Sequence, residues 1–229
     1  MNAPRTHTIY RAGPDHYGDL GAFGALIGSA FASLSAVRWL VPGNPTVHGD
    51  LTGPGNPASR AVVFARWAEL QTADALSRGH VDVIDVDHVP VAIAVWFTNP
   101  HAKPAPDYDQ QLHRAVGRSH IDRFRSLEAT MGAAHPSGDH HHLLLLAVRP
   151  DQQNQGHGSA LLTHHHQTLD RVGVPAYLEA ASPESSRLYL RHGYTHLGGP
   201  LTLPGNHAPD LWPMWRDPQR AETHQQPRL

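Results

Sequence analysis

The apolar positions fall into short runs of two kinds, some spaced three or four residues apart and some alternating or continuous, which predicts a chain of interleaved helices and strands. Residues 8–11 read as a first strand. Asp15 offers a helix start, after which Leu20, Phe23, Leu26, Ile27 and Phe31 fall on one helical face. Residues 41–57 are dense in Gly, Pro and Asn and read as a loop. A second helix is predicted over residues 60–78, stopped by Gly79, and residues 80–86 and 89–98 read as two strands joined through Asp87 and His88 into an antiparallel hairpin. After a Pro-rich break at residues 100–106, residues 108–134 carry helical patterning, with Ile121, Phe124, Leu127, Glu128 and Met131 near one stripe. Residues 143–148 form a continuous apolar run, the mark of a strand buried on both faces. Then follow a loop, a helix over 156–172, a strand at 176–180, a helix at 184–192, and strands near 194–197 and 211–215.

This order, with a hairpin early and a strand-helix-strand crossover later, predicts an α/β (α+β) fold: a central mixed sheet of about seven strands flanked by helices on both faces. At 229 residues the chain has room for one good-sized core. Residues 1–216 are expected to form a single domain and 217–229 a frayed polar tail. No apolar run approaches the roughly 20 residues needed to cross a bilayer. Residues 1–7 lack the apolar stretch of a secretory signal, so a soluble, cytoplasmic protein is expected. The absence of cysteine excludes disulfides, thiolate metal sites and cysteine nucleophiles. A formal net charge of -2 offers no footprint for nucleic acid or an anionic membrane surface, and a small-molecule partner fits better.

Twenty histidines raise the question of a metal. His164, His165 and His166 stand on consecutive helical positions, about 100° apart, and fan around the axis instead of converging. In the run His140, His141, His142 the first and third share one strand face, which pairs two ligands but supplies no third. No metal is therefore expected.

The segment from Val148 to Leu162 joins the buried strand to a helix and carries Gln153, Gly156 and Gly158. Glycines there permit close backbone approach, and the unpaired N–H groups of the helix's first turn, with the positive end of its dipole, form a cradle for an anion such as a pyrophosphate. The segment lacks the Gly-Lys-Ser/Thr of a P-loop and the third glycine of a dinucleotide fingerprint. It resembles the acetyl-CoA signature of the GNAT superfamily of N-acetyltransferases, Gln/Arg-x-x-Gly-x-Gly/Ala. The flanking Val148-x-Pro150 and Ala160-Leu161-Leu162 also fall where that family has them. A second block similar to the family runs from Leu178-Glu179-Ala180-Ala181-Ser182-Pro183 through Leu188-Tyr189 to Arg191-His192-Gly193-Tyr194. The stretch Ala92-Ile93-Ala94-Val95-Trp96 is similar to a subgroup that includes puromycin N-acetyltransferase.

The resemblance implies the GNAT fold, whose sheet splays between its fourth and fifth strands, and acetyl-CoA as co-substrate. It implies backbone contacts to the acetyl group and pantetheine at Leu146, Ala147 and Val148, and phosphate contacts from Gln153, Gln155, Gly156, His157, Gly158, Ser159 and Ala160. Ser185 stands where relatives often carry an Asn after the Ser-Pro. Tyr189 falls at the family's general acid, with a packing tyrosine as the alternative. Glu179, His140 and His142 are the available bases; Glu179 reads equally as a buried structural carboxylate, and His142 as a solvated edge histidine. Phe31, Trp39, Trp96 and Phe124 are candidate pocket aromatics, and the 41–57 loop a candidate lid. The function implied is acetylation of a primary amine on a small molecule, in the puromycin-like subgroup an antibiotic or secondary metabolite, by a monomer or homodimer. The alternatives are a protein or peptide N-acetyltransferase and a non-catalytic acyl-CoA-binding module.

Overall fold

Eight strands form one mixed sheet, in the spatial order β1-β2-β3-β4-β5-β8-β6 with β7 on a side branch against β8. The structure is a computed structural model that describes residues 7–43, 56–98, 103–206 and 208–219. The strands are β1 (His7–Ala12), β2 (Gly79–Val86), β3 (Val89–Phe97), β4 (His141–Val148), β5 (Ala176–Ala180), β6 (Thr195–His196), β7 (Leu201–Thr202) and β8 (Asp210–Arg216). The helices are α1 (Leu20–Phe31), α2 (Ser35–Leu40), α3 (Pro57–Arg78), α4 (Tyr108–Val116), α5 (Ile121–Ala134), α6 (His157–Val172) and α7 (Pro183–Arg191). All pairs are antiparallel except β4 with β5.

Period-two alternation splits the sheet's side chains between two cores. Val81, Val83, Ile93, Val95, Leu145 and Ala147 pack with α1 to α5, and Ile84, Val86, Ala92, Ala94, Trp96, Leu143 and Leu178 pack with α6 and α7. In β4 the alternation changes phase: Leu143 joins the α6 core, whereas Leu145 joins the α1 core. The cause is a β-bulge, since Trp96 opposes Leu143 and Val95 opposes Leu145, leaving Leu144 as the extra residue. Beyond it, β4 and β5 part. They pair only at His141–Ala176, His142–Tyr177 and Leu143–Leu178, so the edge of β4 from Leu144 to Val148 faces no strand on the β5 side.

Several elements differ from the expectation. The patterned stretch 108–134 is two helices, because Gly117 sits at φ 78° and turns the chain between α4 and α5. The segment after Asp15 begins as a 3₁₀ turn, Pro14–Asp19, before α1. Helix α2 and strand β7 have too few residues to show a period. β6 is shorter than expected because Tyr194 is drawn inward, its hydroxyl 3.0 Å from His166 Nε2, between left-handed glycines Gly193 and Gly198. Of the expected 41–57 loop, residues 44–55 lie outside the described residues, and so do residues 220–229 of the expected tail. Among the described residues no helix is long and apolar enough to cross a membrane.

Many histidines are structural. His165 is buried on the α6 side, stacked on Trp96 at 4.0 Å between centroids; its Nδ1 donates to buried Asp82 at 2.8 Å and its Nε2 lies 2.9 Å from His141 Nδ1. Burial lowers the pKa of His80 and His141 to about 4 and that of His166 to about 3. These groups fold neutral while the unfolded chain protonates them near 6.5, so the unfolded state binds more protons below that pH. Their contribution to stability is complete above about pH 6.5 and is lost as the pH falls toward about 3. The melting temperature should therefore fall steadily between pH 6.5 and pH 4. His166→Gln should flatten part of that slope, and a slope identical to the parent's would show that His166 does not titrate with unfolding.

Candidate active site

The parting of β4 from β5 opens a cleft of about 570 Å³. Leu146, Ala147 and Val148 line one wall; Gln153, Gly156, His157, Gly158 and Ser159 line one end; Glu179, Ser182, Ser185 and Tyr189 line the other wall. Phe31 of α1 closes the side toward the first core. Outward-facing N–H and C=O groups of an unpaired strand edge can bind an extended amide-bearing chain as a further strand would.

At the cradle end, Asn154 (φ 61°) and Gly156 (φ 86°) turn the chain out of β4 and into α6. No side chain caps the first turn of α6, a helix of 16 residues, so its free N–H groups and dipole point toward the cleft. A Cβ at Gly158 would meet only side-chain atoms of Leu188, Leu146 and Val148, at 3.6–3.8 Å. The backbone there has room for a ligand's phosphates to approach. His157 Nε2 is buried without a partner among the described residues, and burial lowers this ring's pKa. Uncapped donors, left-handed turn residues and an unclaimed ring nitrogen together suit a pyrophosphate.

The other expected cofactor residues behave differently. Gln153 turns its Nε2 to the Val148 carbonyl at 3.2 Å, and Gln155 turns its own to the Asp151 carbonyl at 3.4 Å and lies outside the cleft lining. Ala160 packs against the α6 core. Ser185 reaches the cleft, but its hydroxyl is engaged in the α7 capping box, where Ser182 N donates to it at 3.1 Å and it donates to the Ser182 carbonyl at 2.9 Å.

On the opposite side of β4 lies a second chamber, also of about 570 Å³, walled by α3, α4 and α5. Its lining includes Trp67, Leu70, Phe97, Tyr108, Met131 and Leu144, with Gln71, Glu128, His135 and His142 as polar groups. Leu144, the bulged residue, borders both spaces. His142 borders the chamber and Glu179 the cleft, and His142 Nε2 stands 2.8 Å from Glu179 Oε2, with side-chain exposures of 9% and 2%. Neither reads as a solvated edge group. Beside Glu179, burial first and then the carboxylate's charge push the Tyr177 phenol well above its ordinary range.

Tyr189 is 8% exposed, lines the cleft and lies edge-on to Tyr194 at 5.8 Å. Burial raises its pKa, which keeps the hydroxyl protonated and able to donate. His140 is 1% exposed and borders neither space; its Nδ1 donates to the Gly138 carbonyl at 2.9 Å and its Nε2 meets His135 Nε2 at 3.0 Å. Of the four candidate aromatics only Phe31 borders a cavity, and that cavity is the cleft. Trp96 and Phe124 are core, and Trp39 packs beneath Arg123 at 5.2 Å. The expectation that no histidine group gathers three donors is also corrected: ligand atoms of His135, His142 and Glu179 lie within 4.8 Å of one another. Chain spacing hid this, because the three come from the end of α5, from β4 and from β5.

Residues 124–196 match the profile of the acetyltransferase (GNAT) domain. That segment, about a third of the chain, is similar to a GNAT acetyltransferase domain. Its fold is similar over 95% of its length to a structure described as histone acetyltransferase HPA2 and related acetyltransferase from Corynebacterium glutamicum, at 24% identity, 99% coverage of that chain and a TM-score of 0.57. It is similar over 93% to arylalkylamine N-acetyltransferase 2 from Aedes aegypti, at 11% identity, 100% coverage of that chain and a TM-score of 0.57. The ribosomal-protein-S18-alanine N-acetyltransferase from Escherichia coli matches over 96%, at 17% identity, 99% coverage of that chain and a TM-score of 0.50. These likenesses concern the fold. The family of the matched segment comprises N-acetyltransferases that use acetyl-CoA as co-substrate.

Gly158→Glu tests the cradle. A carboxylate at the first turn of α6 would repel the cofactor's phosphates, while the loose contacts of a Cβ there leave the fold intact. Calorimetry should show acetyl-CoA binding weakened by more than about 100-fold with the melting temperature within a few degrees of the parent. Unchanged affinity would place the phosphates elsewhere.

Proposed function

We propose that the protein transfers an acetyl group directly from acetyl-CoA to a primary amine of a small molecule. The observation that carries this reading is the meeting of two spaces at the β4 bulge, a cleft suited to the cofactor and a largely apolar chamber, joined by Leu144 and the His142–Glu179 pair. The chamber is walled by three helices and lined largely by apolar side chains with a few polar groups among them, the character of a small-molecule pocket, which favours a small acceptor.

In this reading the open edge of β4 at Leu146, Ala147 and Val148 holds the pantetheine amides and aligns the thioester. An amine enters as the ammonium ion and must lose a proton before it can attack. His142 receives that proton, and Glu179 stabilises the imidazolium that results across the 2.8 Å contact. The nitrogen then bonds to the acetyl carbon, the carbon–sulfur bond breaks, and Tyr189 donates its proton to the departing thiolate; the second proton leaves the acylated nitrogen as the amide forms and, through solvent, replaces the one that Tyr189 gave up. Backbone N–H groups at the bulge are suited to the developing oxyanion.

Two substitutions separate these roles from packing. Tyr189→Phe removes only the hydroxyl and should lower kcat by about 10²- to 10⁴-fold near pH 7, with acetyl-CoA affinity and melting temperature nearly unchanged. A Phe variant with parental kcat in a chemistry-limited assay would return Tyr189 to a packing role. Glu179→Gln keeps the shape of the pair but removes its charge. It should lower kcat, because a neutral partner no longer stabilises His142 once it has taken the proton. A change in thermal stability alone, with kcat retained, would make Glu179 a structural carboxylate.

A further inference from the structure

The far end of the acceptor chamber holds a prebuilt polar site that the transfer chemistry does not use. Glu128 of α5 reaches into it from between apolar neighbours. Its Oε1 accepts Trp67 Nε1–H at 3.0 Å and the Tyr108 hydroxyl, and Tyr108 is itself held by Gln71 Nε2 at 2.7 Å. Both donors go to the same oxygen. Oε2 has no partner among the described residues and is not sealed from the chamber, and no ion pair among those residues involves Glu128. The chamber's other carboxylate, Asp74, is neutralised by Arg78, whose Nη2 stands 2.6 Å from Asp74 Oδ2. A carboxylate oriented by three side chains yet left with one open oxygen in an apolar, aromatic chamber is a receptor for a cationic donor. Burial raises the Glu128 pKa, and a bound cation would reverse that cost by favouring the ionised form.

The position of Glu128 also sets a length. Glu128, Met131 and His135 are three and four residues apart along α5 and its end, on one face that lines the chamber. At 1.5 Å of rise per residue, residues 128 and 135 lie about 10 Å apart along the axis. The His135 ring is 4.8 Å from that of His142, where the reacting nitrogen is delivered.

We propose that Glu128 determines acceptor specificity by binding a second cationic group, so that the substrate class is a dication. Such an acceptor carries a primary amine for His142 and, on the order of 10 Å away across an apolar body, a second amino or guanidino group for Glu128. This rests on the reading of the chamber as the acceptor site.

The test uses the full chain with acetyl-CoA and three probes of one length: α,ω-diaminoheptane, heptylamine and aminoheptanol. The diamine should exceed heptylamine in kcat/KM by about 10- to 100-fold, with the difference mainly in KM, and should bind correspondingly tighter by calorimetry. Glu128→Gln should remove most of that preference, and Glu128→Asp should restore part of it. The inference is overturned if heptylamine matches the diamine with the parent enzyme, if aminoheptanol matches it, or if the preference survives in Glu128→Gln. The probe comparison on the parent decides even where the variant does not fold. Turnover of heptylamine without diamine preference leaves the acetyl-transfer reading standing and sinks this inference alone. No binding or turnover of any amine, with acetyl-CoA still bound, overturns both.

Discussion

Strands β4 and β5 pair over three residue positions and then part, and the cleft between them depends on that early separation. A parallel pair carried to its end would satisfy every backbone group between them and leave no slot for a ligand. Here the edge of β4 past Leu143 keeps its donors and acceptors free on the β5 side, while β3 continues to bind the other edge through Ala92–Val148. The strand is thus held rigidly on one side and open on the other. β5 does not drift, because β8 pairs with it along its whole length. The cleft is fixed by the sheet's own hydrogen bonds, so a ligand entering it pays little to order the protein.

The bulge at Leu144 is the second half of the same device. By inserting one residue it reverses which face the side chains of β4 occupy, so that His142 faces the α3–α5 chamber while Leu145 and Ala147 still fill the α1 core. A regular strand would have had to give up one of these. The shift also brings the cleft and the chamber together at a single residue, Leu144, with Phe31 and Leu34 in the lining of the one and Met131 and Phe97 in the lining of the other. Charge is spent sparingly around this point. His142 and Glu179 are paired, and Asp74 is matched by Arg78, which leaves Glu128 as the chamber's carboxylate without a cation. An unmatched, half-buried carboxylate is costly in a folded protein, and such a cost is retained where a ligand supplies the missing charge.

The sequence by itself determined most of the order of elements and the turn from β4 through Gly156 into α6. Those features rest on local causes: period in the apolar residues of 60–78 and 176–180, Gly79 and Gly156 at element ends, and the free N–H groups at the start of any helix. Glu128 was visible too, as a carboxylate on the stripe formed by Phe124, Leu127 and Met131, though nothing local said why it was there. Tertiary structure alone decided the rest. His135, His142 and Glu179 come from three elements, and no spacing along the chain encodes their approach to within 4.8 Å. The bulge depends on register against β3, which a single strand's sequence does not contain. The aromatics of the chamber proved to be Trp67, Phe97 and Tyr108, while Trp96 and Phe124 went to the core, because burial by a neighbouring helix and exposure to an internal cavity leave the same apolar mark on a sequence.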